Sequence, residues 1–362
     1  MSETIRIADL ASKISDELFT FFKWSMCSEN DLNFKCKTPS LHFPSSAEDS
    51  DKTHPTDVVF HYHDPYLNKR IYFNTDLKSY ADSSIKYNEV RDWLTSLIKG
   101  TECAKGSSEW KQRYDIRGST EIRGMLFIYN HDGQFKKSVY DYIHDIPIKN
   151  LKEGQPRPKG FYLKDLNIPK DMKIHLVDPL LIDYMLTIKH DVAVLKSENK
   201  IPGHKNLRFF YPPKQLYKSA LAPNECPATI EMIAGPFLII TYDEFKYYDD
   251  DEKPLSAPRG NIIYYNGRGE TPEEFMFLIE TLMMFDLINE NVTTRVRLYS
   301  KELHTTAIEN FKSAIKKYSQ TWGYSANMQK IISSIEINSI PLMQKIFCNK
   351  SISRSETTES KV

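Results

Sequence analysis

The 362-residue sequence predicts an α/β fold built in two parts. Three observations lead there. From the N-terminus the hydrophobic patterning reads helix, three strands, helix, strand. Residues 150–160 form a polar stretch with two prolines and two glycines, which reads as a linker. Beyond it, residues 160–350 alternate strand-like and helix-like runs, as an α+β domain does.

The first part divides as follows. Ile7, Leu10, Ile14, Leu18 and Phe21 recur at three- and four-residue steps, so residues 5–22 predict an amphipathic helix with Glu17 at the edge of its stripe. Residues 22–25 and 32–36 read as strand pieces, and 45–52 as a polar loop. Asp57 opens a short run of β-formers, Val58-Val59-Phe60-His61-Tyr62. Asp64 to Asn68 is a turn punctuated by Pro65. The strand over 70–78 alternates cleanly: Ile71, Phe73, Thr75 and Leu77 share one face, and Tyr72, Asn74, Asp76 and Lys78 the other. Residues 88–99 predict a helix that Gly100 stops, with more helix around Trp110. Met125 to Tyr129 is a further strand, ended by a turn at Asn130-His131-Asp132-Gly133.

In the second part, 173–177, 230–242, 261–265 and 294–300 read as strands, and 180–190, 271–287 and 306–318 as helices. Thr271-Pro272-Glu273-Glu274 is a strong helix start, with Thr as N-cap, Pro in the first turn and Glu three residues after the cap. Residues 327–347 are mixed. The tail, 351–362, has few apolar anchors and reads as disordered. No internal repeat is visible in the sequence.

Composition narrows the function. Basic and acidic residues balance at 48 each, so a nucleic-acid contact has to come from a local patch. The five cysteines are odd in number and lack a CxxC pairing. This speaks against a disulfide framework and against a zinc module, and suits a reducing cytosol. No signal core and no membrane-length apolar run occurs, so a cytoplasmic protein without membrane contact is expected.

The chemistry-bearing residues stand on the two central strand runs. Asp57 and Asp76 offer hard carboxylate ligands suited to a divalent ion such as Mg²⁺, helped by the Leu77 carbonyl. Lys78, beside them on the polar face, can position a water or stabilise developing charge. Burial would depress its pKa, and two adjacent carboxylates would raise it. The (Asp/Glu)-x-Lys string alone carries little information, since it also ends at Lys111, Lys173, Lys200, Lys246, Lys253 and Lys361. Only the copy at Asp76-Leu77-Lys78 closes an alternating strand behind another strand opened by Asp. The bland reading of Asp76 and Lys78 is a surface ion pair.

Rival motifs are weaker. His61-Tyr62-His63-Asp64 has part of a His-x-His-x-Asp-His pattern without the last His, and reads as turn residues. Asn266-Gly267-Arg268-Gly269 lacks the lysine and length of a P-loop and reads as a plain turn. Asp249 to Glu252 reads as a solvated loop. Arg295 and Arg297 share a strand face that meets phosphate or a partner, or is simply exposed. Between Tyr66 and Gly118 ten Lys/Arg face seven Asp/Glu, so Lys86, Arg91, Lys99, Lys105, Lys111, Arg113 and Arg117 are candidates for a phosphate track. Trp110 and Tyr114 lie among them as candidates for base stacking or for the core.

Over roughly residues 5–135 the chain resembles the PD-(D/E)XK nuclease superfamily, the restriction-endonuclease-like fold. That family's α-β-β-β-α-β core carries an Asp on the second strand and (Asp/Glu)-x-Lys on the third. Asp57 matches the first acid, with Pro55 one residue further away than in the family's Pro-Asp pair. Asp76-Leu77-Lys78 matches the second element, and Glu17 the acid some members carry on the first helix. No Gln-x-x-x-Tyr follows the lysine, unlike in one branch of the family. The resemblance implies a nuclease-like domain over 1–150, with Asp57, Asp76, Lys78 and Glu17 catalytic and Mg²⁺ (Mn²⁺ substituting) held by Asp57, Asp76 and Leu77. It implies an endonuclease acting on DNA ahead of RNA, in restriction or antiphage defence. The 160–350 domain would serve recognition or bind a companion subunit or a second copy of the chain. The alternative is a non-catalytic nucleic-acid-binding or scaffold subunit of a larger complex.

Overall fold

The computed structural model describes residues 3–43, 52–144, 159–212, 221–249, 251–299 and 303–344. The expected loop at 45–52 and the linker at 150–160 fall largely outside these residues, and the tail at 351–362 does so entirely. The chain divides into two compact units: Met1–His63 with Lys69–Ile182, and Asp64–Asn68 with Asp183–Met343.

The first unit opens with α1 (Glu3–Phe21), then β1 (Ser25–Met26), β2 (Leu32–Lys35), the single turn α2 (Pro39–His42), β3 (Thr53–Thr56), β4 (Val58–Asp64) and β5 (Lys69–Tyr80). It continues with α3 (Tyr87–Gly106), α4 (Ser108–Arg113), β6 (Thr120–Asn130), β7 (Ile143–His144), β8 (Phe161–Tyr162) and β9 (Ile174–Val177). One sheet runs in the order β1-β4-β5-β6-β9, so helix, three strands, helix, strand is the order that the sequence predicts. β1 lies antiparallel to β4. A four-residue turn joins the neighbours β4 and β5, which forces them antiparallel. β6 and β9 then run parallel to β5 and to each other. Because β9 completes this sheet, the unit extends to Ile182 and not to the expected boundary at 150.

Each face of the sheet carries a helix. On one, Phe19 of α1 stacks on Trp24 at 4.5 Å and Trp24 on Phe73 of β5 at 4.9 Å, while Phe127 of β6 meets Phe19 edge-on. On the other, Val90, Leu94, Leu97 and Ile98 of α3 pack against Leu126 and Ile128 of β6. A central parallel strand is covered on both sides, so the face of β5 expected to be polar is also buried at Tyr72 and Asn74. Gly100 does not stop α3. Thr101, Cys103 and Ala104 continue the buried stripe, and this packing outweighs the ~1 kcal/mol that glycine costs inside a helix.

In the second unit, α5 (Pro179–Ser197), which begins in the first, leads into β10 (Arg208–Phe209), α6 (Ile230–Ile233), β11 (Phe237–Tyr242), β12 (Phe245–Tyr248), β13 (Pro254–Ala257) and β14 (Gly260–Tyr265). Then come α7 (Pro272–Met284), β15 (Thr293–Leu298), α8 (Ala307–Trp322), α9 (Ala326–Ser333) and β16 (Glu336–Ser339). The expected strand over 230–242 is a helical turn followed by a strand, because Thr229 caps residues 230–233 through its Oγ1 on Met232 N. Thr271 caps α7 as expected, and the Glu274 carboxylate accepts the N–H groups of Gly269 and Glu270. With those donors taken, the loop at 266–269 is the plain turn expected. Asp249, Asp251 and Glu252 lie at the tip of the β12–β13 hairpin, where Asp249 Oδ1 accepts from Asp251 N and Lys253 N.

The second sheet, β10-β11-β14-β15-β16, repeats the first in order and sense: two antiparallel steps, then two parallel ones. A helix again crosses between the third and fourth strands. The sequence shows no repeat, but the topology does.

Candidate active site

β5 turns one row of side chains toward α3: Tyr72, Asn74, Asp76, Lys78 and Tyr80. Tyr72 packs with Val59, Cys103 and Trp110. Asn74 Oδ1 accepts from Thr56 Oγ1 at 2.9 Å, and its Nδ2 reaches Thr101 Oγ1 of α3 at 3.4 Å. At the far end Tyr80 stacks on Trp93 of α3, with ring centroids 4.9 Å apart. Asp76 and Lys78 stand between these anchors. Their side chains are 16% and 23% exposed, so solvent and a ligand can reach them.

Asp57 enters from the neighbouring chain segment. β3 pairs with β2 in a separate two-stranded sheet, whereas β4 belongs to the main one, and the chain changes sheets at Asp57. The backbone at this switch is held by Asp31 N, which donates to Asp57 O at 2.8 Å. The Asp57 carboxylate accepts the Leu77 N–H on Oδ2 at 2.7 Å. Asp57 therefore lies beside the Asp76-Leu77-Lys78 strand, and Lys78 Nζ is paired with Asp76 Oδ1. Leu77 was expected to serve through its carbonyl, and its N–H fixes the first acid.

The electrostatics record the crowding. Burial, and after it the negative charge of Asp76, push the Asp57 carboxyl up to about 6, against the lowering effect of the Leu77 N–H and of Lys78. Two carboxylates this close repel each other, and one lysine does not fully offset the repulsion. A divalent cation would, and two hard oxygen donors with solvent access fit Mg²⁺ or Mn²⁺. Asp57 and Asp76 are the residues that would hold it.

Glu17 is solvent-exposed on α1, whose Phe19 stacks through Trp24 on Phe73, on the face of β5 opposite to the Asp76–Lys78 row. The expected phosphate track is also reduced: Arg91, Lys105, Arg113 and Arg117 each pair with a carboxylate. Trp110 and Tyr114 are core residues, 0% and 5% exposed, and do not present a stacking surface. The His61-to-Asp64 run is not the exposed turn expected: it lies within β4 with Tyr62 and Asp64 buried, and only the Asp64 carboxylate reaches into the turn, where it accepts from Tyr66 N and Leu67 N. In the second unit Arg295 is bonded to Tyr242 and Glu336 and Arg297 to Asp191, so internal partners hold both.

The sequence reading missed a second cluster. Cys36, His42, His54 and Cys103 place their ligating atoms within 4.8 Å of one another, although no CxxC spacing announces it. The signal was weak: Cys36 and His42 lie six apart and His54 twelve further on, but the fourth member sits in a helix far along the chain.

Among the described residues no helix is long and apolar enough to cross a membrane. Residues 1–180 match the family model of the GAPS4 protein PD-(D/E)XK nuclease domain. No curated protein matches the chain, and no solved structure does. The matched stretch ends close to where the first compact unit ends, at Ile182. The strand order, the meeting of Asp57 with Asp76-Leu77-Lys78 and this match agree: the N-terminal part of the chain belongs to the PD-(D/E)XK nuclease superfamily.

Proposed function

We propose that the first unit is a divalent-metal-dependent endonuclease that hydrolyses DNA, with Mg²⁺ as its ion and Asp57, Asp76 and Lys78 as its working residues. The observation that carries this reading is the Asp57–Asp76 pair, close enough to raise the Asp57 pKa and pinned there by the Leu77 N–H. Asp57 and Asp76 would hold the ion. When bound there, a dication would lower the pKa of a coordinated water and offset charge on the scissile phosphate. Leu77 N–H orients the Asp57 carboxylate, and the anchors at Asn74 and Tyr80 keep β5 in register with α3. Lys78, on the same row as Asp76, hydrogen-bonds the attacking water or the developing oxyanion.

The second unit repeats the topology without the chemistry. β14, the strand equivalent to β5, reads Gly-Asn-Ile-Ile-Tyr-Tyr and carries no acid and no lysine. The catalytic role is therefore assigned to the first unit, and recognition of nucleic acid or of a partner to the second. Intact carboxylates and lysine favour the enzyme over a scaffold subunit. DNA rather than RNA, and a role in restriction or antiphage defence, are carried over from the superfamily.

The test is cleavage of circular and linear DNA with Mg²⁺ or Mn²⁺, comparing the wild type with Asp76→Ala and Lys78→Ala. Cleavage by the wild type alone, abolished by EDTA, is expected. Cleavage that survives in both variants would overturn the assignment.

A further inference from the structure

We propose that Cys36, His42, His54 and Cys103 form a structural zinc site, separate from the carboxylate pair. The distances between donors carry the argument. A tetrahedral zinc with two sulfurs and two nitrogens spaces its ligands at about 3.8 Å for S···S, about 3.6 Å for S···N and about 3.3 Å for N···N, from the usual bond lengths. Here Cys36 Sγ and Cys103 Sγ are 3.7 Å apart, each lies 3.4 Å from His42 Nδ1, and His42 Nδ1 is 3.1 Å from His54 Nε2. These four of the six donor–donor distances match a coordination tetrahedron, and all four donors lie within 4.8 Å of one another.

The surroundings fit a closed site. His42, His54 and Cys103 are buried. His42 turns Nδ1 inward and Nε2 outward to the Glu102 carboxylate at 3.3 Å, the carboxylate–histidine arrangement that fixes a metal-bound imidazole. Lys37 N–H donates to Cys103 Sγ at 3.3 Å, a bond that a thiolate accepts more strongly than a thiol. Zn²⁺ with two thiolates and two neutral imidazoles sums to zero charge, which suits the interior. Loading releases the two thiol protons to solvent. An S₂N₂ donor set without an open position selects zinc and leaves no place for a substrate.

The site ties β2, α2, β3 and α3 together at one point. His54 lies on β3, the strand that leads into Asp57. This inference stands on its own donors and does not depend on the nuclease reading.

The test is metal analysis of the full-length wild-type protein, purified without chelator, beside Cys36→Ser/Cys103→Ser and Asp57→Asn. About one zinc per chain is expected in the wild type and in Asp57→Asn, falling to roughly a tenth or less in the double variant. Because the double variant can fail to fold, the wild type is also stripped and titrated with Co²⁺. The absorption of tetrahedral cobalt with thiolate charge transfer is then expected. Absence of zinc together with absence of that spectrum, or a Cys36–Cys103 disulfide in the purified protein, would overturn the proposal.

Discussion

Replacing Asp57 by Asn should stabilise the metal-free protein while abolishing its chemistry. Burial and the Asp76 charge raise the Asp57 pKa from 3.8 to about 6. A rise of that size costs the ionised form about 3 kcal/mol. Asp57 keeps some solvent access and shares its protons with Asp76, so about 2 kcal/mol is the working figure. The sign follows from linkage. A folded pKa above the unfolded one means that the folded protein holds more protons between about pH 4 and 6. Stability therefore falls as the pH rises through this window, and above it the full penalty applies. Asn keeps an oxygen to accept the Leu77 N–H and carries no charge. In EDTA at neutral pH, Asp57→Asn should raise the Tm of the first unit by roughly 4–8 °C, and the gain should vanish near pH 4. Saturating Mg²⁺ should stabilise the wild type and leave the variant unmoved. The assay is differential scanning fluorimetry across pH, with and without metal. A variant less stable than wild type at neutral pH, or a difference independent of pH, would show that ionised Asp57 carries no such penalty.

Further outcomes follow from the same structure. Lys78→Met, which keeps the length and removes the charge, should lower DNA cleavage by about 10²–10³-fold while Mn²⁺ binding, read by calorimetry, persists. Thr56→Val should cost about 2–4 kcal/mol in urea unfolding, because Trp110 Nε1 donates to Thr56 Oγ1 and Thr56 Oγ1 to Asn74 Oδ1, and both partners would be left unpaired. Gly124→Ala should cost about 1–3 kcal/mol by the same measurement, since its Cβ would stand 2.6 Å from Ile174 Cδ1 and 2.7 Å from Thr101 Oγ1. A silent Gly124→Ala would show that α3 and β6 pack more loosely than described.

The sequence disclosed the parts of the fold whose signals are local. The alternation over 70–78 fixed which β5 residues share a face, and so put Asp76 beside Lys78 before any coordinates. What it hid depends on packing between distant segments. Gly100 looked like a helix end because its neighbours are polar by type, yet Thr101 and Cys103 face the core. Trp110 and Tyr114 sit in a basic stretch, where core packing is the commoner reading from sequence, and the fold buries both. The Cys36–His42–His54–Cys103 cluster joins a strand end, a single helical turn, a second strand and a helix, and no single window of sequence contains it. The topological repeat left no trace because burial constrains only the apolar character of the strands, and β14 meets that demand without the polar residues of β5.

The central claim is that Asp57 and Asp76 jointly hold the working metal ion. Anomalous diffraction from crystals soaked in Mn²⁺ tests it without needing a substrate or an activating partner. A manganese peak within coordination distance of both carboxylates is expected in the wild type, and no such peak in Asp57→Asn. Carboxylates that stay unoccupied at saturating Mn²⁺ would contradict the claim, whatever metal the Cys36–His42–His54–Cys103 cluster holds.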